Sequence, residues 1–197
     1  MSDTVMQLCP DEPLAHAMQI LQQSDDEGLN RITILLAQYP NDPRLFFLKG
    51  SVLAGQQRYE EGRDAMRMAI EIAPGYELAR FQLGFLELTS GLSADAVKTW
   101  GPFADLTEDA PFRLLSAGLG SLARDEFAEC DRLLRLGIEA NNEHPMINGD
   151  MQLILDEVAD KLPMPDNNVS VPAQPASAVH QLLQQFELKD SANKTKH

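Results

Sequence analysis

Residues that could carry out chemistry are few in this sequence, and their spacing matches neither a metal-binding nor a phosphate-binding pattern. No pair of histidines has the i,i+4 spacing of a helical metal site. The four are His16, His144, His180 and His197. Gly118 and Gly120 fall inside a predicted helix instead of following a strand, so they do not form a phosphate-binding loop. We therefore expect no enzyme activity, no metal and no cofactor.

The two cysteines, Cys9 and Cys130, are expected to be reduced thiols. The N-terminal residues lack the basic start and long apolar core of a secretory signal. No stretch approaches the ~18 consecutive apolar residues that a membrane span needs. These features predict a cytoplasmic protein that does not contact a membrane.

Acidic side chains outnumber basic ones by 30 to 16, which gives a net charge of -14. Such a charge disfavours nucleic-acid binding, which requires Lys and Arg concentrated on one surface. The acids are dispersed along the chain, so they favour solubility over a dedicated acidic surface for a basic partner.

A regular period organises the elements that must position any site. Gly50, Gly84 and Gly118 lie 34 residues apart, and the same step relates Phe47, Phe81 and Leu115. A fixed period of this length is typical of a helical repeat array, and such arrays usually bind other molecules.

Helix boundaries are marked by capping residues and prolines. Ser24 with Glu27 forms a capping box, and Asp125 is expected to cap a later helix. Pro102 lies inside a predicted helix, where it removes a hydrogen bond and clashes with the preceding turn. We expect that helix to kink or restart at Gly101-Pro102.

The composition changes at residue 163. Residues 163–177 are rich in proline and are predicted to be a linker, followed by an amphipathic helix over 178–189 and a disordered tail over 190–197. The apolar residues of that helix recur at i, i+3, i+4 and i+7 and share one face. This stripe consists of Val179, Leu182, Leu183 and Phe186.

The segment from residue 42 to residue 74 resembles a tetratricopeptide repeat. It has the small first-helix residue of that family at Gly50, the second-helix aromatic at Tyr59, small crossing residues at Gly62 and Ala69, and the terminal Pro74. The resemblance implies an all-α, right-handed α-solenoid of helix-turn-helix repeats. It predicts an array over 1–162, with repeats at 9–42, 43–76, 77–110 and 111–144 and a capping helix over 145–162.

In that family the first helices line a concave groove, and the groove-facing positions carried over include Arg44 and Ala54. The resemblance assigns the groove to mainly apolar residues, which suit an amphipathic helix or apolar peptide of a partner protein. They are Phe47, Ser51, Leu78, Phe81, Phe85, Leu88, Phe112, Leu115, Leu119 and Leu122. The alternative is that several of these residues pack between repeats.

Two functions are compatible with the resemblance. The first is a non-enzymatic adaptor that binds another protein, and the second is a chaperone of the type III secretion class that holds an apolar cargo segment. The helix over 178–189 could dock on its own groove, dock on a second copy to give a dimer, or remain undocked.

Overall fold

The computed structural model describes residues 7–162, and within this range the regular elements are nine α-helices and one short 3-10 helix. The chain divides into two compact units between Leu86 and Glu87, and each unit is described by itself. The helices are α1 Asp11–Leu21, α2 Asp25–Gln38, α3 Pro43–Gly55, α4 Tyr59–Ile72, α5 Glu77–Thr89, α6 Ser93–Trp100, α7 Pro111–Leu122, α8 Phe127–Ala140 and α9 Pro145–Ala159, with the 3-10 helix η1 at Gly101–Asp105.

The predicted helix break is confirmed. Helix α6 ends at Trp100, and the chain continues as η1 with Pro102 in its first turn, because proline cannot donate the next helical hydrogen bond. The predicted cap at Ser24 is also confirmed, since its side chain accepts a hydrogen bond from the Glu27 N–H at 3.3 Å. The predicted linker 163–177, helix 178–189 and tail 190–197 lie outside the described residues, and the repeat boundaries stay a prediction.

In the first unit, α3 and α4 approach each other backbone to backbone. A Cβ atom added to Gly50 would lie 2.9 Å from the Gly62 carbonyl oxygen and 2.6 Å from Cγ of Met66. A Cβ atom on Gly62 would in turn lie 3.1 Å from the Gly50 carbonyl oxygen. Only glycine therefore fits at this crossing.

In the second unit, α7 and α8 approach each other in a similar way. Gly118 of α7 lies two 34-residue periods after Gly50 of α3. A Cβ atom on Gly118 would lie 2.9 Å from Cδ2 of Leu134, and one on Gly137 would lie 2.5 Å from Cδ2 of Leu115. Both leucines are fully buried. The last turn of α5 is fixed to α6 by a hydrogen bond of 2.6 Å from the Thr99 hydroxyl to the buried Glu87 carboxylate.

The turns before α4, α6 and α8 each contain one residue with a positive φ, and these residues are also 34 apart. They are Gln57 (φ 64°), Gly91 (φ 78°) and Asp125 (φ 57°). The expectation that Asp125 caps α8 is wrong, because the residue forms the left-handed turn and α8 begins after Glu126 without a side-chain cap. The 34-residue period is thus a property of the backbone as well as of the glycines.

We predict that Gly50→Ala lowers the free energy of unfolding by about 1–3 kcal/mol, because the added methyl group must displace α4. Gly120→Ala is the matched control in another helix interior. An added Cβ there would meet only Nη1 of Arg124, at 3.5 Å, so better helix propensity should raise stability by up to about 1 kcal/mol. Urea unfolding followed by circular dichroism measures both, and equal effects of the two substitutions would contradict the close-approach model.

We also predict that adding a glycine at one left-handed turn and removing a glycine from another change protein stability in opposite directions. Gln57→Gly should stabilise the protein by about 0.5–1 kcal/mol, since glycine adopts positive φ without steric cost. Gly91→Ala should destabilise it by a similar amount, although no atom lies within 4 Å of the added Cβ, because only the backbone conformation is strained. A gain in stability from Gly91→Ala, measured by thermal unfolding, would contradict the shared turn geometry.

Candidate functional site

The predicted groove residues of the first unit are mostly half-buried. Phe47, Ser51, Leu78 and Phe85 keep some exposed surface, whereas Phe81 is 1% exposed. The Ser51 hydroxyl donates to the Phe47 carbonyl at 3.0 Å. The Phe81 and Phe85 rings stack with centroids 6.4 Å apart. These four half-buried residues remain candidates for a binding surface in this unit.

The predicted groove residues of the second unit are all buried. Phe112 lies in a stack between Phe103 and His144, with ring centroids at 5.7 and 5.5 Å. Leu115 packs against α8 at Gly137. The expectation of an open groove is revised here, because burial leaves no surface for a ligand on five residues: Leu88, Phe112, Leu115, Leu119 and Leu122.

A different concave site exists in the second unit, between α6, η1, α7 and α8. This α6–α8 pocket has a volume of about 600 Å³. Its apolar side is formed by Val97, Trp100, Phe103 and Leu133. Trp100 and Phe103 are 5% and 2% exposed, so their positions are fixed by packing, whereas Val97 is 55% exposed. The pocket therefore combines rigid aromatic rings with an accessible apolar edge.

The helix break at Gly101-Pro102 creates this side of the pocket. Because α6 stops at Trp100, the chain turns into η1 and brings Phe103 to the pocket beside Trp100. An uninterrupted helix would carry residue 103 to a different position. The break predicted from the sequence thus has a structural consequence at a site.

Small residues on one face of α7 form the base of the pocket. Ser116, Ala117, Gly120 and Ser121 follow the i, i+1, i+4, i+5 spacing that places side chains on the same face of a helix. Space remains beside Gly120, where an added Cβ would be in ordinary contact with Arg124 alone. Larger side chains at these four positions would fill the pocket.

Three of the four charged residues that line the pocket are in ion pairs, and the fourth, Arg113, donates to a backbone carbonyl. Arg124 donates to the Glu126 carboxylate at 2.7 and 3.0 Å, which raises the pKa of Arg124 and lowers that of Glu126 through the side-chain hydrogen bonds. Glu129 accepts two hydrogen bonds from Arg132, at 2.6 and 2.9 Å. The Arg113 guanidinium donates to the Leu106 carbonyl oxygen. The ion pairs of Arg124, Glu126 and Glu129 favour an apolar ligand over a small ion at that side of the pocket.

The cysteines are both free and buried. Cys130 is fully buried in α8, and desolvation raises the pKa of its thiol to about 12. Burial, followed by the nearby Asp42 carboxylate, also raises the pKa of Cys9. A thiol becomes a nucleophile only as the thiolate, so neither cysteine is suited to nucleophilic chemistry.

In the first unit, the Asp42 carboxylate, the Arg44 guanidinium and the backbone of Cys9 form a hydrogen-bonded cluster. The fully buried Asp42 carboxylate accepts from the Cys9 N–H at 2.8 Å, from the Arg44 N–H at 2.9 Å and from Arg44 Nη2 at 2.8 Å. Arg44 Nη2 also donates to the Cys9 carbonyl oxygen at 2.5 Å. These bonds cap α3 and attach the N-terminal segment to it, so Arg44 is not available to bind a ligand in a groove.

No group of His, Cys, Asp or Glu within residues 7–162 is arranged to hold a metal ion. In the same range, no helix is long and apolar enough to cross a membrane.

Sequence reasoning missed the α6–α8 pocket because its parts come from four elements. Two features of the sequence could have indicated it. Gly101-Pro102 follows the single tryptophan directly, and the run from Ser116 to Ser121 contains several small residues on one helix face. Neither feature alone specifies a cavity.

We predict that Asp42→Asn lowers the free energy of unfolding at pH 7 by about 1–3 kcal/mol, because the amide cannot accept all the hydrogen bonds of the buried carboxylate. Burial alone would raise the pKa of Asp42, but hydrogen bonds from Arg44 and Cys9 lower it below its ordinary value. Its contribution to stability is therefore complete above an ordinary aspartate pKa of about 4 and is lost as the pH falls through the lowered folded-state pKa.

The measurement is urea unfolding of both proteins between pH 7 and pH 2. The difference in free energy of unfolding between the unmodified protein and Asp42→Asn should become smaller as the pH approaches 2. Asp11→Asn is the control, since Asp11 is 99% exposed and lies 3.4 Å from the same guanidinium, and it should change stability little at any pH. A difference that stays constant down to pH 2 would show that the Asp42 charge does not stabilise the fold.

Comparisons with known proteins show similarity at the level of the fold. Neither protein-family models nor curated proteins match the chain. Among solved structures, MamA 41-end from Desulfovibrio magneticus RS-1 is similar at a TM-score of 0.57 and 12% identity, over 94% of this chain and 96% of that one. The MamA RS-1 ArsTM double mutant is similar at a TM-score of 0.55 and 12% identity, over 93% of this chain and 98% of that one. The chain therefore has an all-α, tetratricopeptide-like helical-repeat fold, as its sequence predicted.

Proposed function

We propose that this protein is a non-enzymatic, cytoplasmic interaction module and that its α6–α8 pocket binds an apolar segment of a partner protein. The observation that carries the proposal is the pocket itself, with two buried aromatic rings beside a base of small residues. Its volume of about 600 Å³ lies within the range of ligand-binding clefts. The helical-repeat fold supports a binding function in general.

The partner segment is an amphipathic helix or an apolar peptide that inserts one or two large side chains. Val97, which is 55% exposed, offers accessible apolar surface at the pocket edge, and the nearly buried Trp100 and Phe103 form a fixed apolar wall behind it. Aromatic anchors in fixed positions bind at low entropic cost, because few rotatable bonds must be ordered. Arg124 and Glu126 are paired with each other, so these two residues do not require a charged ligand.

The adaptor hypothesis is favoured over the chaperone hypothesis. A chaperone that holds a long cargo segment would use the extended series of predicted groove residues, and five of these are buried in the second unit. The α6–α8 pocket suits a short anchor instead.

The test is a peptide-library selection on the full chain, followed by titration with tryptophan fluorescence. Trp100 is the single tryptophan, so its emission reports on the pocket without a label. We expect peptides with clustered aliphatic or aromatic side chains, and we expect their binding to shift the Trp100 emission. Ala117→Phe should weaken binding at least about tenfold, because the new ring fills the pocket from an exposed position on α7.

Ala94→Phe is the matched control, since Ala94 is exposed on α6 and does not line the pocket. It should leave peptide affinity unchanged. Selected peptides that bind Ala117→Phe as tightly as the unmodified chain, without changing the Trp100 emission, would place binding elsewhere and overturn the proposal.

A further inference from the structure

We propose that residues 178–189 of this chain occupy the α6–α8 pocket in cis and compete there with the partner segment. The inference rests on the proposed function, because it takes the pocket to be a site for apolar peptides. It adds regulation, since a partner must displace the chain's own segment.

The described part of the chain ends near one of the helices that border the pocket. The Lys161 ammonium lies 5.9 Å from the centroid of the Phe127 ring, at the start of α8. Glu126, which lines the pocket, directly precedes Phe127 in the chain. The described chain therefore ends near the start of α8, one of the helices that border the pocket.

The chain between this point and the stripe is long enough to reach the pocket. Residues 163–177 connect the two, and a chain of that length spans about 20 Å as a coil. A tether of this kind gives an effective concentration on the order of 1 mM. A segment that binds with a dissociation constant of about 0.1 mM would then occupy the pocket in about nine molecules out of ten.

The chemistry of the segment matches the pocket. Its stripe of Val179, Leu182, Leu183 and Phe186 provides four apolar side chains at helical spacing, among them one aromatic anchor. Between residues 178 and 189 the charged side chains are one glutamate and one lysine, in a protein whose net charge is -14. A segment with balanced charge suits a pocket bordered by the balanced pair Arg124 and Glu126.

The first experiment places a bimane fluorophore on Gln185→Cys in the full chain and measures its quenching by Trp100. Labelling is selective, because Cys9 and Cys130 are 2% and 0% exposed. We expect strong quenching that does not depend on protein concentration. The quenching should be lost in the same labelled chain with Trp100→Phe, and it should also be lost with Leu182→Glu, which leaves the pocket intact.

Gln181→Glu is the control for Leu182→Glu, since it adds the same charge on the opposite face of the predicted helix, and it should leave quenching unchanged. Quenching that rises with protein concentration would show docking on a second copy and would overturn the proposal. Unquenched bimane in the unmodified chain would overturn it as well.

The second experiment measures the affinity of the library-selected peptides for the same variants. Leu182→Glu should raise their affinity about tenfold, because the competitor is removed, and Gln181→Glu should leave it unchanged. Equal affinity of the peptides for the pocket in the unmodified chain, Leu182→Glu and Gln181→Glu would refute cis competition and would leave the proposed function standing. If no peptide shifts the Trp100 emission in any variant, the proposed function itself fails.

Discussion

The contact between helix backbones at glycine is the constraint on which both units depend. In α3 and α4 the Gly50 and Gly62 backbones meet, and in α7 and α8 glycines meet leucines of the facing helix. Such proximity packs Met66, Leu115 and Leu134 against the facing helix, and each of them is buried. It also fixes how the chain must reverse between the helices, which explains why a residue with positive φ recurs at Gln57 and Asp125 although neither is glycine.

The candidate site lies where this regular construction is interrupted. Helix α6 has 8 residues, whereas α4 and α8 have 14 each. A second helix of full length would continue past Trp100 along its own axis, but η1 redirects the chain and places Phe103 at the pocket, with the small residues of α7 at its base. Local rules of folding are most often broken at functional sites, because a function can require geometry that stability alone does not favour. Gly101-Pro102 fits that pattern.

The sequence was sufficient for features that depend on neighbouring residues. The Ser24 cap and the break at Pro102 follow from bonds within one or two helical turns, and both are confirmed. The helical-repeat fold follows from periodicity, which sums many such local preferences. Burial of Phe112 and Leu119 could not be predicted in the same way, because a position on a helix does not determine which other element covers it. The α6–α8 pocket is harder still, since four elements must be placed before any empty volume exists.

Electrostatics connects the pocket to the rest of the molecule. With a net charge of -14, the chain as a whole repels acidic partners, and salt screens this effect beyond about 10 Å. At the pocket, Arg124 and Glu126 neutralise each other at 2.7 Å, so this pair adds little net charge where a ligand makes contact. Long-range charge can then influence which molecules approach, but affinity must come from contact with the apolar lining of the pocket, whose exposed part is Val97. A site of this kind selects by shape and hydrophobicity, which is consistent with the proposed apolar anchor in an otherwise highly charged protein.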